Sequence, residues 1–310
     1  MKKAVVAGGT GFIGAAVVRE FLASGYEVVV LSRKTATVTG AKVAQWDGRT
    51  LGTWTADLEG AAALVNLTGA SILARWTDQH KLAMRVSRVD LSSMLGEAIG
   101  KCAVPPQCWI NASAVGYYGD TGARKTAESA RPGRGVLAEM CVAWENAALQ
   151  APTPHTRKAV VRIGYVLGRG GPGFESLARA TKLMLGGPLG SGRQYMAWIH
   201  LEDLARLIVW AVSSEVRGPM NGTAPNPVTN AELMSAFRRA YGRPPAPPLP
   251  GFALQALSAA MGWPEDMITA SSRVVPEVAL AHGFQFKFPT IEAALAELTD
   301  ETPAAWRGVA

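Results

Sequence analysis

The feature that most constrains this chain is a glycine-rich turn within its first fifteen residues. Four apolar, β-prone residues lead into glycines at positions 8, 11 and 14, and an amphipathic helix pattern follows. Such a turn lets the backbone approach a ligand, because glycine lacks a Cβ, and the free N–H groups at a helix start face a bound anion. A second apolar strand at residues 27–31 completes a strand–helix–strand unit. This order predicts a dinucleotide site, and a purely structural turn is the alternative.

The residues that end the second strand indicate which dinucleotide is preferred. An acidic side chain there would hydrogen-bond the ribose 2′-hydroxyl of NAD and repel the 2′-phosphate of NADP. This chain has Ser32-Arg33-Lys34 instead, a hydroxyl and two cations that suit a phosphate. The pattern favours NADP, with NAD as the alternative cofactor and a solvated basic turn as the competing interpretation.

Strand and helix patterns alternate through the first half of the chain. Further strands are predicted at residues 41–46, 61–67, 107–113 and 158–163, and helices at 78–101 and 135–149. This alternation predicts an α/β fold, a doubly wound parallel Rossmann sheet with right-handed crossovers. Ligands of such sheets bind at the carboxyl ends of the strands. The predicted cofactor-binding residues are therefore Gly8, Thr10, Gly11, Phe12, Ile13, Gly14, Ser32, Arg33, Lys34, Leu67, Thr68, Gly69, Ser113 and Arg162.

The sequence changes in character after residue 165. Glycine-rich loops follow, and a stiff proline-rich connector spans residues 242–251 before a mainly helical end. We therefore expect a smaller, mainly helical C-terminal substrate lobe beside the sheet. The predicted division is a Rossmann domain at 1–165, to which 198–225 returns, and a substrate lobe at 166–310 with a helical piece at 250–300.

Composition limits the class of protein and its partners. The 310 residues are 48% hydrophobic, and the net charge of +7 is dispersed rather than gathered in a basic run. This favours an anionic small-molecule ligand and no nucleic-acid partner. Three cysteines and four scattered histidines lack metal spacing, which predicts no metal site and a reducing, cytoplasmic location. No apolar stretch approaches the ~20 residues of a membrane span, so no membrane partner is expected.

The fifth strand delivers the richest group of reactive side chains to the ligand-binding edge. It runs into Ser113-Ala114-Val115-Gly116-Tyr117-Tyr118-Gly119. Ser113, Tyr117 and Tyr118 are the candidate catalytic residues, with a phenol as proton donor. Packing of a loop over the cofactor is the alternative role for both tyrosines. On the preceding helix, Arg85 and Arg88 either form a solvated face or reach a ligand.

The glycine turn, this tyrosine-bearing strand and Trp198-Ile199-His200-Leu201-Glu202-Asp203 together resemble the extended short-chain dehydrogenase/reductase superfamily. Within it the chain is similar to an epimerase family group with a small C-terminal domain of unknown function (DUF1731-like), whose hallmark resembles Val275-Pro276-Glu277 and the stretch 283–289. The resemblance implies a Rossmann domain with bound NADP or NAD and a smaller lobe that closes over a small-molecule substrate. It implies no particular substrate, and it leaves monomer and homodimer open.

The chain departs from the superfamily at its catalytic pair. That pair is a tyrosine followed four residues later by a lysine, which lowers the phenol pKa. No tyrosine here has a lysine at that spacing, and the expected helix reads Met140-Cys141-Val142-Ala143-Trp144-Glu145. In the superfamily's serine position Ser113 is expected, although another alignment places Ala114 there. A phenol without a neighbouring cation is expected to keep its ordinary pKa of ~10.

Two functions follow from these patterns. The first is an NADP-dependent oxidoreductase or epimerase acting on a small polar substrate, nucleotide-linked compounds included. The second is a non-catalytic NADP-binding sensor or interaction module that kept the glycine turn and lost the lysine. The glycine turn by itself does not distinguish between them.

Overall fold

The computed structural model describes residues 1–263 and 269–300. The strands are β1 (Lys3–Ala7), β2 (Glu27–Ser32), β3 (Lys42–Gln45), β4 (Ala63–Asn66), β5 (Cys108–Ala114), β6 (Arg157–Ile163), β7 (Tyr165–Leu167), β8 (Tyr195–Met196), β9 (Trp198–His200), β10 (Gly218–Gly222) and β11 (Val228–Thr229). The helices are α1 (Phe12–Ala23), α2 (Asp78–Arg85), α3 (Leu91–Gly100), α4 (Val136–Leu149), α5 (Pro172–Lys182), α6 (Leu201–Ser213), α7 (Asn230–Ala240), α8 (Gly251–Met261), α9 (Glu277–Ala281) and α10 (Ile291–Thr299).

A parallel sheet of seven strands forms the centre of the molecule. Its order is β10-β6-β5-β4-β1-β2-β3, and every pair of neighbours is parallel. The predicted doubly wound α/β fold is therefore confirmed. The chain order reverses between β1 and β4, which is the switch point where such sheets bind ligands. Strand β10 was not predicted as a strand, because its sequence Gly-Pro-Met-Asn-Gly has low strand propensity.

Helices cover both faces of the sheet and bury its apolar residues. Strand β1 is almost fully buried from Ala4 to Ala7, as a strand covered on both faces should be. Helices α1 and α6 pack on one face, and α3 packs with Trp54 and Trp109 on the other. The predicted helix at 78–101 is present but is interrupted by a π-helical turn, Val86–Asp90.

The C-terminal half adds a second core beside the sheet. Helices α5, α7 and α10 pack together around Phe174, Phe237 and Leu295. A fully buried carboxylate, Asp203 of α6, accepts the backbone N–H groups of Lys287 and Phe288, each at 2.8 Å. This contact fixes the C-terminal segment against the start of α6. No helix within the described ranges combines the length and apolarity that a membrane span needs.

Candidate functional site

In the glycine turn between β1 and α1, the local backbone requires glycine at positions 8 and 14. Gly8 has a φ of 82°, in the left-handed region, and a Cβ on Gly14 would overlap the carbonyl oxygen of Gly8. Gly11 differs, because its φ is −80° and a Cβ there would meet only the Gly8 oxygen at 3.3 Å. The backbone of the turn therefore requires glycine at positions 8 and 14 more strictly than at position 11.

A cavity of about 370 Å³ opens in front of this turn, at the carboxyl ends of β1, β2, β3 and β4. The predicted residues that line it are Gly8, Thr10, Gly11, Ser32, Arg33, Leu67, Thr68 and Gly69. The cavity is also lined by residues that the sequence patterns did not predict: Leu31, Trp46, Asp47, Gly48, Arg49, Ala70, Ala83, Val86, Ser87 and Leu91. The cavity thus joins the switch point of the sheet to the basic end of the second strand.

The remaining predicted cofactor residues lie outside the cavity wall. Phe12, Ile13 and Gly14 form the first turn of α1, behind the glycine turn. Lys34 is exposed, and its backbone N–H and C=O bond the hydroxyl of Ser32. Ser113 and Arg162 are buried in the protein interior and are described below.

Two arginines face the basic end of the cavity. Arg33 follows β2 and Arg49 follows β3, and the parallel pairing of these strands brings their carboxyl ends together. Asp47 lies beside them, but its carboxylate accepts hydrogen bonds from the backbone of Arg49 and Thr50 and from the Thr50 hydroxyl. Hydrogen bonds from Thr50, first through its hydroxyl, lower the pKa of Asp47 to about 2. These hydrogen bonds use the Asp47 carboxylate to hold the loop that follows β3.

A buried ion pair lies under the end of the fifth strand. The guanidinium of Arg162 on β6 donates through Nε and Nη2 to the two carboxylate oxygens of Glu145 on α4, both at 2.8 Å. The Ser113 hydroxyl donates to the same carboxylate at 2.6 Å. These three residues are at most 4% exposed. Ser113 and Arg162 therefore share a hydrogen-bond partner, Glu145, inside the protein, and neither residue lines the cavity.

Residues 4–223 match the NAD dependent epimerase/dehydratase family over most of the chain. The chain belongs to this family. Residues 249–298 match a domain of unknown function, DUF1731. Both matches confirm the resemblance that the sequence motifs carry.

Individual relatives cover almost the entire chain. The epimerase family protein SDR39U1 of Bos taurus is 38% identical over an alignment of 303 residues that covers 96% of this chain and 99% of the bovine one. The crystal structure of human epimerase family protein SDR39U1 (isoform 2) with NADPH is 35% identical, has a TM-score of 0.87, and covers 96% of this chain and 99% of its own. A nucleoside-diphosphate sugar epimerase from Corynebacterium glutamicum is 29% identical, with a TM-score of 0.78 over 96% of this chain and 58% of that chain.

In this member of the epimerase/dehydratase family, the two neighbouring tyrosines have different surroundings. The Tyr118 hydroxyl donates to Asn221 at 2.7 Å and accepts from Arg162 at 2.8 Å, and the side chain is 3% exposed. Burial raises the pKa of Tyr118 to about 12, against the opposing effect of Arg162. The expectation of an ordinary phenol pKa is therefore wrong for Tyr118. Tyr117 is partly exposed, and its ring centroid lies 3.4 Å from the guanidinium carbon of Arg162.

Arg162 also changes the interpretation of the missing lysine. No tyrosine in the sequence has a lysine four residues after it, yet the fold places the Arg162 guanidinium against the rings of Tyr117 and Tyr118 from strand β6. On α4, Cys141 precedes Glu145 by one helical turn, and burial raises the pKa of the Cys141 thiol to about 11. Cys141 is therefore a neutral thiol at physiological pH. Within the described part of the chain, no cluster of histidine, cysteine and acidic residues has the geometry of a metal site.

Proposed function

We propose that this protein binds NADPH and is an oxidoreductase or epimerase that acts on a small polar substrate. The observation that supports the cofactor most strongly is the cavity, in which the glycine turn and the arginine pair Arg33 and Arg49 line the same space. The related human protein was crystallised with NADPH, the cofactor that the basic residues after β2 predict. When bound, NADPH would supply a hydride to the substrate, and its oxidised form NADP⁺ would accept one in the reverse direction.

The residues of the cavity fit the parts of this cofactor. The turn at Gly11 and the free N–H groups at the start of α1 suit the pyrophosphate. Arg33 and Arg49 suit the 2′-phosphate, because a guanidinium forms paired hydrogen bonds with a phosphate and carries a full positive charge. Lys34, which was assigned to the same phosphate, is a less suitable contact because it lies outside the cavity wall.

Removing either arginine is expected to weaken the preference for NADPH over NADH. A charge-assisted hydrogen bond contributes about 1.5–3 kcal/mol, so Arg33→Ala and Arg49→Ala should each weaken NADPH binding roughly 10- to 100-fold and leave NADH binding almost unchanged. Fluorescence titration of both cofactors measures this. Lys34→Ala is the matched control, since it removes the same charge from the same loop. Equal losses in all three variants would show that general charge, and not this arginine pair, attracts the cofactor.

Replacement of Gly11 separates ligand space from the needs of the fold. The extended conformation of Gly11 accepts a β-branched residue, so Gly11→Val should fold. Its side chain would fill the place of the pyrophosphate, and NADPH binding should fall at least 100-fold, about 3 kcal/mol. Gly251→Val, at the start of α8 with open space around it, is the control for a valine at a helix start. Wild-type NADPH affinity in a folded Gly11→Val protein would contradict the assignment of the cavity.

Tyr117 is the proposed proton donor or acceptor. It lies after β5 at the ligand-binding edge, it is partly exposed, and its ring faces a buried guanidinium. Tyr118 does not suit this role, because its hydroxyl is buried and hydrogen-bonded on both sides. Ser113 is also less suitable than the sequence indicated, since its hydroxyl donates to Glu145. We therefore assign Ser113 and Tyr118 to holding the end of β5, and Tyr117 to the substrate.

The second candidate function is a non-catalytic NADPH-binding module. It is favoured by one observation: α4, where the superfamily's tyrosine–lysine pair is expected, carries Cys141 and Glu145 instead, and both side chains interact with Ser113 inside the protein. For the first function, we include nucleotide-linked compounds among the small polar substrates, because the similar protein from Corynebacterium glutamicum is a nucleoside-diphosphate sugar epimerase. Turnover of any substrate with NADPH oxidation distinguishes the two functions.

A further inference from the structure

Arg88 is a partly buried cation at the edge of the cofactor cavity. It is carried by the π-helical turn Val86–Asp90, and Val86 and Ser87 of that turn line the cavity. Turns of this kind are rare and occur frequently at functional sites. Neither the proposed cofactor contacts nor the proposed proton donor uses this side chain.

The guanidinium of Arg88 lies between the cavity and helix α4. A Cβ on Gly69, which lines the cavity, would lie 3.1 Å from the guanidinium carbon, and the Trp144 ring centroid is 5.1 Å from that carbon. Stacking on an aromatic ring holds a guanidinium in place while its edge stays available for hydrogen bonds. Arg88 therefore connects the cofactor cavity to the helix that carries Cys141 and Glu145.

The positive charge of Arg88 has no carboxylate partner within residues 1–263 and 269–300. Nη1 donates to the Met84 carbonyl at 3.4 Å and Nη2 donates to the Ala70 carbonyl at 3.0 Å. A guanidinium has five N–H donors, so these bonds leave others for a ligand. Burial lowers the pKa of Arg88, the direction expected where a cation is desolvated without a counter-charge. The guanidinium remains charged at neutral pH, and an anion beside it would be stabilised.

We propose that Arg88 forms an anion subsite beside the cofactor cavity and takes a carboxylate or phosphate group of the substrate. This inference rests on the proposed function and deepens it, because it assigns a substrate class: acidic small molecules. Both groups accept paired, charge-assisted hydrogen bonds from a guanidinium. The neutral polar parts of a sugar or alcohol do not offer this pairing.

Calorimetric titration of the NADPH-saturated protein tests the subsite directly. Saturation with NADPH occupies Arg33 and Arg49, so that added anions report on other sites. The probes are oxalate for a carboxylate, methyl phosphate for a phosphate ester, and oxamide as the neutral analogue of oxalate. Wild type is expected to bind at least one of the two anions, and the tighter one identifies the group. Oxamide is expected to bind at least tenfold more weakly than oxalate if the group is a carboxylate.

Arg88→Gln is expected to weaken binding of that anion at least tenfold. Arg85→Gln, an exposed arginine of the preceding helix, removes the same charge and should keep the wild-type affinity. Arg88→Lys retains the charge without the paired geometry, so its affinity should lie between the two. This variant also keeps the comparison available if the glutamine variant fails to fold.

Several results would overturn the subsite. Equal anion affinities in Arg88→Gln and Arg85→Gln would remove it, as would a wild type that binds neither anion. Loss of stability or of NADPH affinity, with anion affinity unchanged, would assign Arg88 to holding the loop at Ala70. Failure of wild type to bind NADPH would instead contradict the proposed function. The same anions would then be titrated into the cofactor-free protein. A lower anion affinity in Arg88→Gln than in Arg85→Gln would still support the subsite, and equal affinities would overturn it.

Discussion

Replacing Tyr117 with Phe is expected to lower turnover about 10²- to 10⁴-fold and to leave NADPH affinity unchanged. General acid–base assistance accounts for a factor of this size, and the lost hydroxyl is the proposed proton donor. The ring and its contact with the Arg162 guanidinium, 3.4 Å from its centroid, remain in the variant. The assay is NADPH oxidation with a panel of carbonyl compounds and nucleotide sugars, acidic ones included.

Tyr118→Phe is the matched control for this experiment. It removes a hydroxyl that bonds Asn221 and Arg162 in the interior, so we expect lower stability, by about 1–3 kcal/mol, and no specific loss of the chemical step. Full turnover in Tyr117→Phe, with a substrate that wild type converts, would contradict the assignment of the proton donor. A wild type that converts no compound of the panel would favour the non-catalytic NADPH-binding module.

Replacing Glu145 with Gln is expected to lower the free energy of unfolding by about 3–5 kcal/mol, because it leaves a buried guanidinium without a counter-charge. Arg162 is 3% exposed, and both of its bonds to Glu145 measure 2.8 Å. Urea unfolding measures the loss. Glu97→Gln breaks the exposed i,i+4 pair between Glu97 of α3 and Lys101, which follows that helix, and should cost only about 0.3–0.5 kcal/mol.

The comparison of these two variants decides the role of the buried pair. A small loss in Glu145→Gln, similar to that in Glu97→Gln, would show that Arg162 finds another partner or water. A large loss would agree with a structural pair that holds β6 against α4.

Local sequence patterns are sufficient to predict most strands of the central sheet. The glycine turn, the apolar runs and the alternation of elements predicted the first six strands, and most of their ends, to within one or two residues. Strand β10 was missed, because two glycines and a proline at its five positions conceal it. It is a strand because Met220 and Asn221 are buried against β6 at the edge of the sheet.

Contacts between distant elements account for the site residues that were missed or reinterpreted. Arg49 reaches the cavity because β3 pairs with β2, and the register of two strands is not visible in a local pattern. A sequence signal did exist, since Arg49 follows the predicted third strand at the same edge as Arg33. The pairing of Arg162 with Glu145 had no local signal, because one lies on β6 and the other on α4. For the same reason the cation beside the tyrosines was not expected.

The crystal structure of this protein with NADPH is the most direct test of the central claim. We predict the 2′-phosphate between the guanidinium groups of Arg33 and Arg49, within hydrogen-bond distance of about 3 Å, and the pyrophosphate at the backbone of Gly11. Density for the 2′-phosphate away from both arginines, or a cofactor bound outside this cavity, would contradict the account.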